Sequence, residues 1–410
     1  MRRAIGGMAV VQVALLIAGL GGAVGVAEAK SLRDHLIDMA PRQGFDVTDD
    51  TDTVVATIVP SKIEAASIGM ADAVQRLAVR GTDFPVASTV PGFSYVYDPQ
   101  LQSFTRSKML GPVFAERAET VGRGRMEFGA AYLYADLDKV DGGDFEAAGG
   151  LAGLTSINAD LLQLIQIDSF RLATHTTNLY GTFGITDRWD VNVLVPLMYS
   201  QLRVRGRVSY ALLFPDNTTS GFTPAQKVRA DGDAFGVGDV LIRTKFRVSQ
   251  EPIGFAAALT IRTPTGNEEN FQGLGDVTVT PTAIATVPLG PVSIHGTLGF
   301  EVNADDLERT RARYTLGGTY QALENLALLV DVLGSSSLVD DSFDGRGVAT
   351  GLGADSSGPF VPQSNIVDVA TGLKLSMGDH ALLYVGAIVP LTRDGMRADV
   401  IPTGGVEVGF

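Results

Sequence analysis

From residue 125 to the end of the chain, apolar and polar side chains alternate with a period of two, the spacing of strands with two unlike faces. Val240, Ile242, Thr244, Phe246 and Val248 share one face, and Arg243, Lys245 and Arg247 the other. Val292, Ile294, Gly296, Leu298, Phe300 and Val302 alternate with Ser293, His295, Thr297, Gly299 and Glu301. Val367, Val369, Thr371, Leu373 and Leu375 alternate with Asp368, Gly372 and Lys374. Turn signals divide the stretch into twelve predicted strands, at 125–137, 168–185, 189–208, 235–249, 253–263, 275–288, 291–302, 311–322, 325–336, 363–376, 379–390 and 400–410. Tight connections, such as Thr186-Asp187-Arg188 and Leu289-Gly290, alternate with long ones at 138–167, 209–234, 264–274, 303–310, 337–362 and 391–399.

A soluble sandwich also alternates. Short turns on one side, long loops on the other and an even strand number are the pattern of a transmembrane antiparallel β-barrel, all-β, with both ends of the barrel on the short-turn side. The last strand, with Val406, Val408 and Phe410 at alternate positions, ends on an aromatic residue, a pattern similar to the terminal signal read by the outer-membrane assembly machinery. Pro196 and Pro281 fall inside predicted strands, where bulges or shifted boundaries are expected.

The beginning of the chain has another pattern. Met1-Arg2-Arg3 precedes an uncharged stretch to Ala27, and Ala27-Glu28-Ala29 supplies a small-x-small site. Residues 1–29 therefore read as a signal peptide cleaved after Ala29, with a retained membrane helix as the alternative. Residues 30–120 form a mixed N-terminal extension, with helical spacing over Ser61–Arg80 through Ile63, Ala66, Met70, Ala73, Val74 and Leu77. Phe84 to Phe104 reads as a loop or a short hairpin, which would raise the count to fourteen strands. The extension is expected to enter the lumen as a plug, to extend into the periplasm, or to remain a loosely ordered leader. The barrel itself occupies 121–410.

Composition narrows the function. Hydrophobic residues make up 45% of the chain and charged ones 19%, with 48 Gly and no Cys, so disulfides, thiol catalysis and zinc-thiolate sites are excluded. Removing residues 1–29, with their two Arg and one Glu, takes the net charge from −14 to −15. Such a balance disfavours nucleic acid as a partner.

Two stretches carry a resemblance. One is Leu110-Gly111-Pro112-Val113-Phe114-Ala115-Glu116-Arg117-Ala118-Glu119-Thr120 followed by Gly122-Arg123-Gly124-Arg125 and a strand. The other is Tyr180 to Val191 with Val195-Pro196-Leu197 behind it. The doubled motif Gly236-Val237-Gly238-Asp239-Val240 and Gly273-Leu274-Gly275-Asp276-Val277, with Arg262-Thr263-Pro264-Thr265-Gly266 between, adds to it. Over roughly 84–410 the chain resembles the outer-membrane transporters labelled for the phenol-degradation (meta-cleavage) pathway, distantly similar to long-chain fatty-acid channels. That resemblance implies uptake of small hydrophobic or aromatic compounds.

The polar face supplies the candidate site: Glu127, Arg243, Lys245, Arg247, Arg262, His295, Glu301, Asp368 and Lys374 are expected to line the lumen, with Asp331 and Glu407 elsewhere on the wall. They would either set pore selectivity and hold a plug, or pair among themselves in a narrow interior. Trp189, Phe246, Phe255, Tyr384 and Phe410 are expected at the membrane interface near the short turns, with Tyr132, Tyr134, Tyr199, Phe300 and Tyr314 toward the outer rim. A lipid-modifying enzyme would need a Ser–His pair on the outer wall; His295 falls on the polar face, with no Ser at the alternate position after it. The acidic loops at Asp138 to Asp144 and Asp340 to Asp344 read as solvated, or as calcium or lipopolysaccharide bridges. No cofactor is implied. The expected partners are outer-membrane lipid, lipopolysaccharide, the assembly machinery and a small-molecule cargo. The leading expectation is a non-enzymatic channel for passive uptake; a structural or assembly barrel with a blocked lumen is the second.

Overall fold

The computed structural model describes residues 30–39, 45–48, 54–58, 95–98, 103–106, 110–140, 143–144, 151–158, 161–212, 223–250, 252–338, 365–378, 380–393 and 395–410, with positions 68, 71, 74, 75, 78 and 81–83. The expected leader at 1–29 and most of the loop at 337–362 lie outside them, as does Asp340 to Asp344. The elements described below belong to the unit 32–410.

Twelve antiparallel strands close on themselves: β1 Met126–Leu137, β2 Leu161–Thr186, β3 Trp189–Leu212, β4 Leu241–Ser249, β5 Gly254–Arg262, β6 Thr278–Leu289, β7 Val292–Asn303, β8 Arg311–Leu323, β9 Leu326–Ser337, β10 Asn365–Met377, β11 Ala381–Pro390 and β12 Ile401–Gly409. Each pairs with its sequence neighbours, and β12 returns to β1 in the register Val406↔Ala130. Phe410 N–H donates to Met126 O at 2.8 Å and Met126 N–H to Phe410 O at 3.2 Å, so pairing runs to the last residue. Closure is what the solvent demands, because lipid offers no partner for an open edge.

Outward-facing Ile242, Phe246, Val248, Phe255, Leu298, Leu316, Val330, Leu373 and Val385 are exposed, while their inward neighbours Lys245, Arg247, His295, Asp331 and Lys374 are buried. A water-soluble protein would place the two sets the other way round.

The wall is not uniform. β2 has 26 residues and β3 has 24, whereas a tilted strand crosses a bilayer in about 9–11. Their excess extends on the long-loop side and is flanked by Leu151–Asn158, which pairs with β2, and Gln226–Val237, which pairs with β3. Much of the expected loops 138–167 and 209–234 is therefore strand. Gln226–Val237 and β4 follow one another along β3, and the ladder changes register between them at 238–240. Gly238 N–H donates there to Pro196 O at 2.8 Å. Pro196 thus sits at an irregularity on that side only. At Pro281 two ladder pairs to β7 are missing and no register shift follows, so the expected bulge is absent.

The inner face of this projecting sheet is apolar. Phe170, Leu172, Leu202, Val204, Val208 and Tyr210 are buried with Leu32 and Leu36 of helix α1 (Leu32–Ile37), Ala71, Val74, Ala78 and Phe271. The described positions 68, 71, 74, 75 and 78 are helical, within the stretch expected to be a helix, and position 81, just beyond it, is helical too. Residues 95–98 pair with 103–106 as a hairpin separate from the barrel, so the count stays at twelve rather than fourteen.

Candidate functional site

The lumen has two storeys. The lower one, at the short-turn end, is filled by residues 110–123, which cross the barrel as a strap without strand or helix of their own. The strap's backbone is held by wall side chains. Asp331 Oδ2 accepts from the N–H of Phe114 (3.0 Å) and Ala115 (3.3 Å), and Asp190 Oδ2 from Val121 (3.1 Å). Thr286 Oγ1 accepts from Ala118 N–H at 3.0 Å, and Gln321 Oε1 from Leu110 N–H at 2.9 Å. In the other direction, Lys374 Nζ donates to Pro112 O (3.2 Å) and Lys245 Nζ to Arg117 O (3.1 Å). Buried polar backbone must find partners somewhere, and here the barrel wall supplies them.

Two glycines make room for the crossing. A Cβ at Gly184 would lie 1.9 Å from Gly122 O, and one at Gly317 would lie 2.5 Å from Ala115 Cβ.

Above the strap lies a cavity of about 210 Å³. Its floor includes Phe114 and Glu116 of the strap, and its walls carry a belt of Thr260, Thr278, Thr280, Thr282, Thr297 and Thr315. Charged groups ring it in pairs. Arg243 Nη1 donates to Glu116 Oε1 at 2.6 Å, Arg313 Nε to Glu301 Oε2 at 2.8 Å, and Arg397 Nη2 to Asp368. Arg262 Nη2 donates to Asp83 Oδ1 at 2.8 Å, and Arg313 also bonds Asp83. Asp83 belongs to the N-terminal extension, so the extension and the wall share one charge cluster.

All nine expected lumen residues are on the inner wall, and they divide between the storeys. Arg243, Arg262, Glu301 and Asp368 line the cavity. Lys245, Arg247, His295, Lys374 and Glu127 are buried in the lower storey. Lys374 lies 3.6 Å from Glu407, and Tyr180 donates to Glu407 at 3.2 Å. His295 Nε2 is 2.8 Å from Ser293 Oγ and its Nδ1 is 3.2 Å from Thr286 Oγ1. The serine precedes the histidine rather than following it, and the pair is buried in the lumen, away from the lipid that an outer-wall hydrolase would attack. Among the described residues no group of His, Asp and Glu has the geometry to hold a metal ion.

At the membrane face, Trp189, Phe246, Phe255 and Phe410 are exposed on the outside, with Trp189 directly opposite Phe246. Tyr384 corrects the expectation. It is 2% exposed and points inward, its ring 5.8 Å from Lys374 Nζ. The register explains why: Tyr384 is paired directly with Lys374, and opposite residues of a ladder share a face. Its neighbours Leu383 and Val385 take the lipid side.

Other residues of the site were not singled out from the sequence. Arg311, Arg313 and Thr315 alternate with Ala312, Tyr314 and Leu316, a readable signal for the polar face. Nothing local marks Asp83, whose role depends on a chain crossing 179 residues from Arg262.

Burial alone would raise the Asp83 carboxyl, but Arg262, then Arg313 and Arg311, hold it well below the usual carboxylate range. A depressed carboxylate contributes stability that is full above its unfolded pKa and lost only as pH falls through the folded value. Acidification from pH 7 to 5 is therefore expected to leave this anchor intact, whereas Asp83→Asn at pH 7 releases it. Proteolysis of the N-terminal extension in the folded protein checks both arms: faster cleavage at pH 5 with Asp83 present would refute the first, and unchanged cleavage of Asp83→Asn the second.

Comparison with known proteins places this architecture. Residues 138–355, just over half of the chain, match the family described as "Putative MetA-pathway of phenol degradation". No curated protein matches the chain. Among solved structures, an outer membrane channel from Pseudomonas putida F1 is 14% identical, with 72% of this chain and 98% of that one covered and a TM-score of 0.47. A Pseudomonas aeruginosa FadL homologue is 9% identical, covering 70% and 90%, with a TM-score of 0.36. The P. putida toluene transporter TodX is 8% identical, covering 70% and 89%, with a TM-score of 0.35. On the extent of the family match, the chain belongs to the family described as the MetA-pathway of phenol degradation, and in it forms a twelve-stranded transmembrane barrel.

Proposed function

We propose that the protein is a non-enzymatic channel of the bacterial outer membrane that admits small aromatic compounds passively, with the strap at 110–123 as the element that must shift for passage. The cavity above the strap carries this reading. A cavity of about 150 Å³ is enough to bind a benzene ring, and the one here, about 210 Å³, accommodates a single substituted ring. The threonine belt supplies hydroxyls, and the paired arginines and carboxylates supply further polar partners, for a phenolic or similar substituent. The pathway named for the family supports aromatic cargo. No energy source is needed if the molecule is consumed inside the cell and so moves down its gradient.

A barrel whose lumen stays blocked is the second reading, favoured by the number of wall side chains that hold the strap. Liposome swelling separates the two. Phenol-sized solutes are expected to enter vesicles holding the purified full-length protein faster than vesicles without it, and a disaccharide is not. Equal rates with and without protein for every solute would leave only the blocked barrel.

A further inference from the structure

The outer face of the projecting sheet carries a pattern that neither the lumen nor the lipid-facing wall explains. Arg203, Arg205 and Arg207 occupy successive outward positions of β3, all exposed, and Lys227 and Arg229 are exposed on the adjacent strand. Arg205 is directly opposite Arg229, and Arg207 directly opposite Lys227. Like charges opposite one another in a ladder are destabilising. Arg207 has Asp168 at 2.6 Å, but Arg203, Arg205, Lys227 and Arg229 have no ion pair among the described residues. Asp231 lies opposite Arg203 and Asp233 opposite Gln201, so apart from Asp168 beside Arg207 the acidic groups sit low on the patch and the basic groups high. This excess of cations stands on a chain whose net charge is −14.

Its position gives the patch a meaning. Just below it, on the same outward face, runs an aromatic row: Tyr134 and Tyr199 flank His175 with ring centres 4.8 and 6.0 Å away, and Phe235 is opposite Tyr199. Aromatic rings mark the membrane–water boundary. Arg203 and Arg205 follow Tyr199 by four and six residues, about 13–20 Å along a strand, which is where the phosphorylated sugars of the outer leaflet stand.

We infer that this face docks the phosphorylated headgroup of lipopolysaccharide, with Arg203, Arg205, Arg207, Lys227 and Arg229 as the phosphate-binding groups. A phosphate seated between Arg205 and Arg229 turns a repulsive pair into two charge-assisted contacts. The inference rests on the outer-membrane placement and is independent of what the lumen conducts.

The test uses full-length protein folded in neutral detergent free of lipopolysaccharide, titrated with fluorescent lipopolysaccharide in the presence of EDTA. Wild-type protein is expected to bind, and the double variant Arg205→Gln/Arg229→Gln to bind on the order of tenfold more weakly. The same variant, without lipopolysaccharide, is expected to be at least as resistant to denaturant as wild type, because repulsion has been relieved. A merely structural role for the arginines predicts the opposite sign. Should the double variant not fold, Arg205→Gln alone is expected to lose about threefold. Dephosphorylated lipopolysaccharide is expected to bind weakly to all forms. Equal affinity of wild type and variant, equal binding of the dephosphorylated lipid, or binding seen only when divalent cations replace EDTA would each overturn the assignment. Liposome swelling by the same variant keeps this result separate from the transport reading, since flux is expected to be unchanged.

Discussion

Deleting residues 32–122 is expected to raise single-channel conductance in planar bilayers on the order of tenfold, because a barrel of this strand number is wider than its own side chains fill. The lower storey is closed in the structure by the strap and by wall groups that bond its backbone: Asp331, Asp190, Lys245 and Lys374. With the strap gone, those groups regain water, and the wall closed through β12 and β1 keeps its pairing. The deletion also uncovers the apolar inner face of the projecting sheet, so a milder variant accompanies it. A Cβ at Gly317 would press on Ala115 Cβ, 2.5 Å away, and on the Asp331 carboxylate that holds the strap there, so Gly317→Val displaces the strap at this point and leaves the anchors at Asp190, Lys245 and Lys374 in place. Its current is expected to rise intermittently, as the strap leaves and returns. Wild-type conductance from both variants, with folding verified by heat-modifiable gel mobility, would retire the strap as the closing element.

The second large effect concerns the opposite face. Val330 is 52% exposed on the outside of β9, between the levels of Tyr320 and Tyr314 on β8. Val330→Arg is expected to cost about 2–4 kcal/mol of folding stability in bilayers, against about 0–1 kcal/mol for Leu323→Arg at the short-turn end. Denaturant titration of the protein refolded in vesicles measures both, with Trp189, the single tryptophan, as reporter. If the two arginines cost the same, this face does not meet hydrocarbon and the transmembrane reading fails. The comparison works because depth alone separates the two sites, both being apolar side chains pointing out of adjacent barrel strands.

Much of the barrel is legible residue by residue. The strand beginning at Leu241 declares its faces, since Ile242, Phe246 and Val248 can only suit lipid and Arg243, Lys245 and Arg247 can only suit the interior. The same logic reads β7 and β10. Tyr384 shows its limit: an aromatic ring near a strand end suits either face of a barrel wall, and the decision came from its partner Lys374 across the ladder. The strands beyond the membrane read as loops in the sequence for a related reason. Stretches such as Gln226–Val237 are rich in charge and glycine, so they lack the apolar outward face that marks a lipid-facing strand, yet they pair because β3 offers them an edge.

The candidate site divides in the same way. Its wall residues follow from alternation, as with Arg262 and Glu301. Asp83 and the strap do not, because the groups they meet are distant in sequence and no periodicity links them. The twelve barrel strands, their closure and the side of the wall that most alternate residues take follow from the chain alone, since lipid and water impose opposite requirements on neighbouring positions. What fills the lumen is settled by three-dimensional packing, because side chains of the inner wall accept a crossing chain wherever their hydrogen bonds can be met, and that depends on geometry assembled from segments far apart in sequence.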